Sequence, residues 1–182
     1  MDTMQVIFNR RSYRGAYLST KVPREDLVRI MEAGLAAPSG CNKQTTSLIA
    51  VDDPAILEKL HAVIQPPVGE TAPAVICVLT QRIIAYRDRC YAIQDYAAAI
   101  ENMLLAIVSL GYQSCWYEGH ITDTDRIGEK MAKILGVPDG YELVCLSASR
   151  QRRYGSQTKR ALRNGRGSTD SRSNKSVNKT QA

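Results

Sequence analysis

Residues 90–110 read CYAIQDYAAAIENMLLAIVSL, and as a helix this stretch would carry apolar side chains on nearly every side. A helix that is apolar all round has to be buried, and about twenty residues give roughly 30 Å of length. Asp95 and Glu101 argue against a membrane span. The stretch therefore predicts a long central helix, ended by Gly111, against which the rest of a globular domain packs.

The segments around that helix alternate between helical and extended patterns. Amphipathic spacing predicts further helices over residues 4–8, 22–35, 54–64 and 123–135. Apolar runs between turn signals predict strands over residues 46–52, 74–80, 112–120 and 141–146. The run at 74–80 is continuously apolar, which is typical of a strand covered on both faces, whereas the polar residues 82–89 predict a loop. This order of elements predicts a mixed α/β sandwich.

The composition of the chain limits its class. A length of 182 residues with 44% hydrophobic content predicts one globular domain with a sizeable core. No apolar run approaches the length of a membrane span, and the amino terminus lacks the apolar centre of a signal peptide, so we expect a cytoplasmic protein without a membrane partner. The five cysteines are odd in number and lack metal-ligand spacing, which predicts neither disulfides nor a bound metal.

The net charge of +6 comes from the carboxyl-terminal part of the chain. Residues 148–182 contain ten Lys and Arg but one acid, and the remainder of the chain is slightly acidic. This part is too poor in apolar residues to offset the entropy of ordering it. We therefore predict a globular domain over residues 1–147, followed by a basic, low-complexity and disordered tail over residues 148–182. The tail has one tyrosine for stacking on bases, and nucleic acid is not expected as a partner.

Two polar segments stand out within the globular part. Residues 10–14 read RRSYR, and guanidinium groups beside a serine hydroxyl are suited to a phosphate, although an isolated segment of this kind is more often a solvated turn. Residues 36–44 read AAPSGCNKQ and break the preceding helical pattern, which by itself indicates only a polar loop.

Together, RRSxR and a helix that ends in AAPSGxNxQ roughly two dozen residues later resemble the nitroreductase family of FMN-dependent oxidoreductases. The resemblance covers about residues 4–146. It implies fold class α+β, as a three-layer α/β/α sandwich with a mixed, mainly antiparallel sheet. It also implies that the central helix lies at the interface of a homodimer, with flavin sites at that interface.

The resemblance further implies three groups of cofactor-binding residues. The group for the flavin phosphate and ribityl chain is Arg10, Arg11, Ser12 and Arg14. The group that reaches the flavin from the other subunit is Pro38, Ser39, Gly40, Asn42 and Gln44. The group at the N5 and O4 edge of the flavin ring is Trp116, Glu118 and Gly119, where Trp116 and Tyr117 are expected beside the ring.

By this resemblance the protein is an FMN-dependent oxidoreductase. It transfers electrons from NADH or NADPH through bound flavin to nitroaromatic, quinone or similar small-molecule acceptors by a ping-pong mechanism. The chain shows no catalytic triad, metal-ligand cluster or GxGxxG, so no side chain is assigned as catalytic and the bound cofactor is expected to carry the chemistry.

Several alternatives remain open at this stage. The same scaffold could serve reductive dehalogenation or flavin breakdown, although residues 82–89 leave little room for a lid over the substrate. The basic tail could instead belong to a non-enzymatic protein that binds acidic partners. The tail also departs from the family, which continues into a basic stretch and an arm across the partner. It is either a true disordered extension or that arm translated in a shifted reading frame.

His61, alone in its helix, is expected to be a surface or packing residue.

Overall fold

The structure is a computed structural model that describes residues 1–64, 69–117 and 126–151, all within one compact unit. The helices are α1 (Thr3–Asn9), α2 (Arg24–Leu35), α3 (Pro54–Val63), α4 (Ala92–Ser109) and α5 (Ile127–Leu135). The strands are β1 (Thr46–Val51), β2 (Ala74–Thr80), β3 (Ile84–Tyr86), β4 (Arg89–Cys90), β5 (Tyr112–Tyr117) and β6 (Glu142–Gln151). A short 3₁₀ turn, Gly40–Asn42, follows α2.

Local sequence explains where two of the helices begin. The carboxylate of Asp2 accepts a hydrogen bond from the backbone N–H of Gln5, and the Gln5 side chain accepts one from the Asp2 N–H, which is a capping box for α1. At α3, Asp53 caps the first turn by accepting from the backbone N–H of Ala55. Pro54 fits the first helical position because its missing N–H would have no partner there.

Four strands form the main sheet in the order β1-β2-β6-β5, and every neighbouring pair is antiparallel. The sheet also has one parallel element among the described residues, an isolated β-bridge between Ser12 and Ser114 of β5. Strands β3 and β4 pair separately as a small hairpin. The prediction of a mixed, mainly antiparallel sheet in an α+β fold is confirmed.

Helices cover both faces of this sheet. Buried side chains of α2 and α4 pack against one face, in a cluster that includes Ile30 and Met103. Side chains of α3 and α5 pack against the other face, in a cluster that includes Leu60 and Met131. Because β2 lies between the two clusters, all seven of its residues are buried, as its continuous apolar sequence predicts. The three-layer α/β/α sandwich is confirmed.

The central helix α4 buries one side of its surface in this chain. Its buried residues include Tyr96, Ile100 and Ile107, which face the sheet and α2. By contrast, Ile93 is 54% exposed and Leu105 is half-buried. The expectation that the helix is buried all round is therefore not met within a single chain. None of the helices that the structure describes is long and apolar enough to cross a membrane.

Two sequence expectations differ from the structure. Residues 82–89 do not form a plain loop, because they contain β3 and the first residue of β4, and these two strands pair as a hairpin. Strand β6 does not end at residue 146 but continues to Gln151, past the boundary predicted at 147. The extra residues pair on one side with β2 and on the other with β5, so neighbouring backbones rather than apolar side chains extend the strand. Residues 152–182 lie outside the described part of the chain.

Candidate active site

The segment 10–14 lies along the outer edge of the main sheet. Strand β5 is an edge strand, and the backbone N–H of Tyr13 donates to the carbonyl oxygen of Ser114 at 2.9 Å. The bridge between Ser12 and Ser114 is parallel, so the segment runs in the same direction as β5, towards the carboxyl end of that strand. An edge strand has unpaired backbone groups, which explains why an extended segment docks there.

The three guanidinium groups of this segment have different surroundings. Arg10, at the end of α1, forms a salt bridge from its Nε to Oε1 of Glu101 on α4 at 3.4 Å. Arg11 and Arg14 are exposed, and no carboxylate within the described residues forms a salt bridge with either. Burial raises the pKa of Tyr117, and the positive charge of Arg14 opposes that shift, so Arg14 lies near the end of β5.

The donors along this edge have the chemistry of a phosphate site. Ser12 is exposed between Arg11 and Arg14, and its hydroxyl can donate to an anion. Guanidinium groups bind phosphate oxygens in a fork, and such charge-assisted bonds are roughly twice as strong as neutral ones. This donor set therefore fits the phosphate of a flavin nucleotide. Glu118 and Gly119, predicted at the flavin ring, follow β5 directly and lie outside the described residues.

The loop after α2 has an unusual backbone. Three non-glycine residues have left-handed φ angles of about 50°: Cys41, Asn42 and Gln44. Such a conformation costs roughly 1–2 kcal/mol per residue, so other contacts have to hold the loop in place. One of them is local, because the backbone N–H of Gln44 donates to Oγ of Ser39 at 2.9 Å.

A carboxylate from the central helix provides the other contacts. The backbone N–H of Gly40 donates to Oδ1 of Asp95 at 2.7 Å, and the hydroxyl of Thr45 donates to Oδ2 at 2.7 Å. Asp95 is 4% exposed. Gly40 also approaches α4 so closely that a Cβ at this position would lie 2.6 Å from the ring of Tyr91. From the sequence, Asp95 is only a charge that argues against a membrane span, and this contact is not predicted; an acid in the first turn of an apolar helix is the signal that could have indicated it.

The two predicted binding segments attach to different points of α4. Arg10 contacts Glu101, whereas the loop contacts Asp95, about 9 Å earlier along the helix axis. Within the loop, three of the predicted flavin contacts are exposed: Pro38, Asn42 and Gln44. Ser39 and Gly40 are half-buried. The exposed side chains of the loop are thus available to a ligand or to another chain.

The aromatic pair at the end of β5 does not form one stacking surface. Trp116 packs on the side of the sheet covered by α2 and α4, and its indole N–H is buried without a hydrogen-bond partner in the described structure. Tyr117 belongs to the cluster on the opposite side, together with Tyr17. Successive residues of a strand point to opposite faces, so these two side chains cannot both flank one face of the sheet.

A groove lies elsewhere on the described part of the chain. It has a volume of about 590 Å³, is lined by residues that include Asp52, His61 and Thr71, and contains none of the predicted flavin contacts. His61 is half-buried on α3, and its Nε2 atom has no hydrogen-bond partner in the described part of the chain. Burial lowers the pKa of His61, and the nearby carboxylate of Glu70 opposes this shift. His61 therefore contacts this groove and not the arginine segment.

The cysteines that the structure describes are free, and burial raises the pKa of Cys77 to about 12. A thiol with such a pKa stays protonated at neutral pH and is a poor nucleophile. No group of three or more potential metal-binding side chains occurs within the residues that the structure describes.

The fold is of the α+β class, and the donors at the edge of its sheet have the chemistry expected of a phosphate site. The sequence model of the nitroreductase family matches residues 7–67 and 61–148 of this chain. The chain therefore belongs to the nitroreductase family. The match ends at residue 148, next to the predicted end of the globular domain at residue 147. That domain boundary stays a prediction.

Individual relatives agree with this assignment. A protein of Archaeoglobus fulgidus, provisionally named NADH dehydrogenase/NAD(P)H nitroreductase, is 31% identical over 139 residues, which is 76% of this chain and 78% of the relative. A protein of the same provisional name from Methanothermobacter thermautotrophicus is 30% identical over 142 residues, covering 76% and 71% of the two chains. A solved nitroreductase with bound FMN from Bacteroides fragilis is 28% identical, with a TM-score of 0.72 over 92% of this chain and 98% of its own.

Proposed function

We propose that this chain is an FMN-dependent NAD(P)H oxidoreductase that reduces nitroaromatic, quinone or similar acceptors by a ping-pong mechanism. Arg11 and Arg14 carry the proposal: both are exposed, no described carboxylate pairs with either, and Ser12, also exposed, lies between them in the sequence. Guanidinium groups that no described carboxylate neutralises are available to a phosphate, whose oxygens they would bind in charge-assisted hydrogen bonds. The FMN-bound relative supports a flavin nucleotide as the source of this phosphate.

Bound FMN would supply the redox chemistry, by accepting a hydride from the nicotinamide and passing electrons to the acceptor. The protein would supply binding and orientation. Arg11, Ser12 and Arg14 would hold the phosphate and the ribityl chain, while Arg10 is already paired with Glu101 and would contribute mainly positive potential. The backbone of the segment is fixed by its docking on β5, so these donors need little rearrangement to bind.

We also propose that the protein acts as a homodimer with α4 at the interface. Apolar side chains stay exposed on the single chain, among them Phe8 at 77% on α1 and Ile93 on α4. Exposed apolar side chains on α1 and α4, two helices in contact with each other, support an interface with another protein chain. In such a dimer the exposed loop residues Asn42 and Gln44 would reach the flavin that is held by segment 10–14 of the other subunit.

Titration with FMN tests the proposal directly. We expect the apoprotein to bind FMN, to quench its fluorescence, and to oxidise NADH or NADPH when a quinone or nitroaromatic compound is added. Arg14→Ala should weaken FMN binding by about 1.5–3 kcal/mol, because one charge-assisted phosphate contact is lost. Arg24→Ala is the matched control, since Arg24 is exposed and pairs with Asp52 at 2.9 Å away from this segment. Its FMN affinity should equal that of the wild type.

A wild-type protein that neither binds FMN nor gains a flavin spectrum would refute the proposed function. If the wild type binds FMN while Arg14→Ala binds it equally well, the flavin assignment stands and Arg14 is removed from the site. Flavin binding without turnover of any quinone or nitroaromatic acceptor would separate cofactor binding from the proposed acceptor class.

A further inference from the structure

We propose that Asp95 is a positioning residue for flavin binding, acting through the loop of residues 39–45. Its carboxylate fixes the loop in the conformation in which Asn42 and Gln44 contact the flavin of the other subunit. This inference rests on the proposed function and extends it to a residue that makes no contact with the flavin itself.

The contacts of Asp95 span the whole loop. One carboxylate oxygen accepts from the backbone N–H of Gly40 and the other from the hydroxyl of Thr45, each at 2.7 Å. Asp95 is 4% and Thr45 is 2% exposed, so water cannot readily replace either bond. The two ends of the loop are thereby tied to a single rigid point on α4.

The loop between these ends needs such a restraint. Cys41, Asn42 and Gln44 all have left-handed backbone angles that non-glycine residues disfavour. The contacts within the loop are the bond from the Gln44 N–H to Ser39 Oγ, the backbone turn bonds that end on Ser39 and Gly40, and a 3.4 Å bond from Nε2 of Gln44 to Oδ1 of Asn42. Without Asp95, the backbone can relax to right-handed angles, which would redirect the side chains of Asn42 and Gln44.

Apart from the dipole of α4, the charge of Asp95 has no partner outside the loop among the described residues. No Lys or Arg of the described chain forms a salt bridge with it. It lies in the first turn of α4, where the helix dipole favours an anion. A buried carboxylate whose hydrogen bonds both go to one loop is arranged to hold that loop, because an apolar residue would serve the packing of the core equally well.

Five variants separate positioning from general stability. Asp95→Ala removes both acceptors, Asp95→Asn keeps the shape with one acceptor oxygen, and Thr45→Val removes one donor at nearly constant volume. Thr45→Ser keeps the hydroxyl and is the conservative rescue. Asp26→Asn is the matched control, because Asp26 accepts a 2.5 Å bond from the hydroxyl of Tyr112 and does not touch the loop.

Three measurements are made on each variant: the Kd for FMN, the melting temperature without FMN, and the NMR shift of the Gly40 amide proton without FMN. We expect Asp95→Ala to weaken FMN binding at least tenfold, Asp95→Asn and Thr45→Val to weaken it less, and Thr45→Ser to stay within about twofold of the wild type. The downfield shift that a carboxylate gives to the Gly40 proton should disappear in Asp95→Ala. Asp26→Asn should lower the melting temperature and leave both the Kd and this shift unchanged.

If the Asp95 variants lower the melting temperature but bind FMN like the wild type, Asp95 is merely structural and the inference is overturned. The same conclusion follows if Asp26→Asn weakens FMN binding as much as Asp95→Ala. A wild type that does not bind FMN overturns the proposed function and this inference together. If the wild type binds FMN and the Asp95 and Thr45 variants bind it equally well, the inference about Asp95 fails while the proposed function stands. Failure of the inference and failure of the proposed function are therefore distinguishable.

Discussion

Gly40→Ala is the substitution whose effect the structure determines most directly. The added Cβ would lie 2.6 Å from Cδ2, 2.7 Å from Cβ and 2.8 Å from Cγ of Tyr91. Contacts between carbon atoms are favourable at about 3.5–4.0 Å, so all three approaches are far too close. Tyr91 cannot swing clear, because one of the crowded atoms is its own Cβ, beside the backbone at the start of α4.

The loop therefore has to move away from α4, and the movement has two costs. Overpacking of this kind destabilises a protein by about 1–3 kcal/mol. The displacement also lengthens the 2.7 Å bond from the Gly40 N–H to Asp95. A hydrogen bond to a charged group contributes about 1.5–3 kcal/mol to the free energy of unfolding, and part of this is lost when the bond lengthens. We expect a loss of about 2–4 kcal/mol in unfolding free energy and a weaker affinity for FMN.

Urea unfolding and FMN titration measure the two effects. Gly34→Ala is the control for overpacking away from the loop, because its Cβ would lie 2.7 Å from Cγ of the buried Met103. We expect Gly34→Ala to lower stability as well but to leave FMN binding intact. If Gly40→Ala is as stable as the wild type and binds FMN equally well, the close approach to Tyr91 does not constrain the loop.

Two further predictions concern other parts of the chain. Leu105→Arg, at a half-buried position of α4, should shift the protein towards monomers in analytical ultracentrifugation. Glu58→Arg, at an exposed position of α3 on the other side of the sheet, should not. A wild type that is a stable monomer at micromolar concentration contradicts the dimer. Burial lowers the pKa of His61 from its usual 6.5, so the unfolded chain binds more protons than the folded chain as the pH falls below about 6.5. The free energy of unfolding should therefore decrease as the pH is lowered from 7.5 to 5.5. His61→Gln should flatten that slope in urea unfolding at pH 7.5 and 5.5, and an unchanged slope would show that His61 is not its source.

Much of the fold is readable from the sequence because its signals are local. Helical spacing predicts α2 and α3 to within about two residues at each end, and the unbroken apolar run predicts that β2 is buried on both faces. The position of β6 shows the limit of this approach. Its last residues have no strand pattern of their own, and they join the sheet because β2 and β5 offer backbone partners on either side.

The sequence by itself determined the chemical character of the site: the residue types of segment 10–14 predict phosphate binding, and their spacing from the PSG loop indicates the nitroreductase family. Only the tertiary structure decided how the loop is held. The Asp95 carboxylate lies 55 residues from Gly40 and 50 from Thr45 along the chain, and the Tyr91 ring is as remote. No local pattern encodes a hydrogen bond over such a separation, because it forms only after α4 has packed against the sheet and brought its first turn beside the loop.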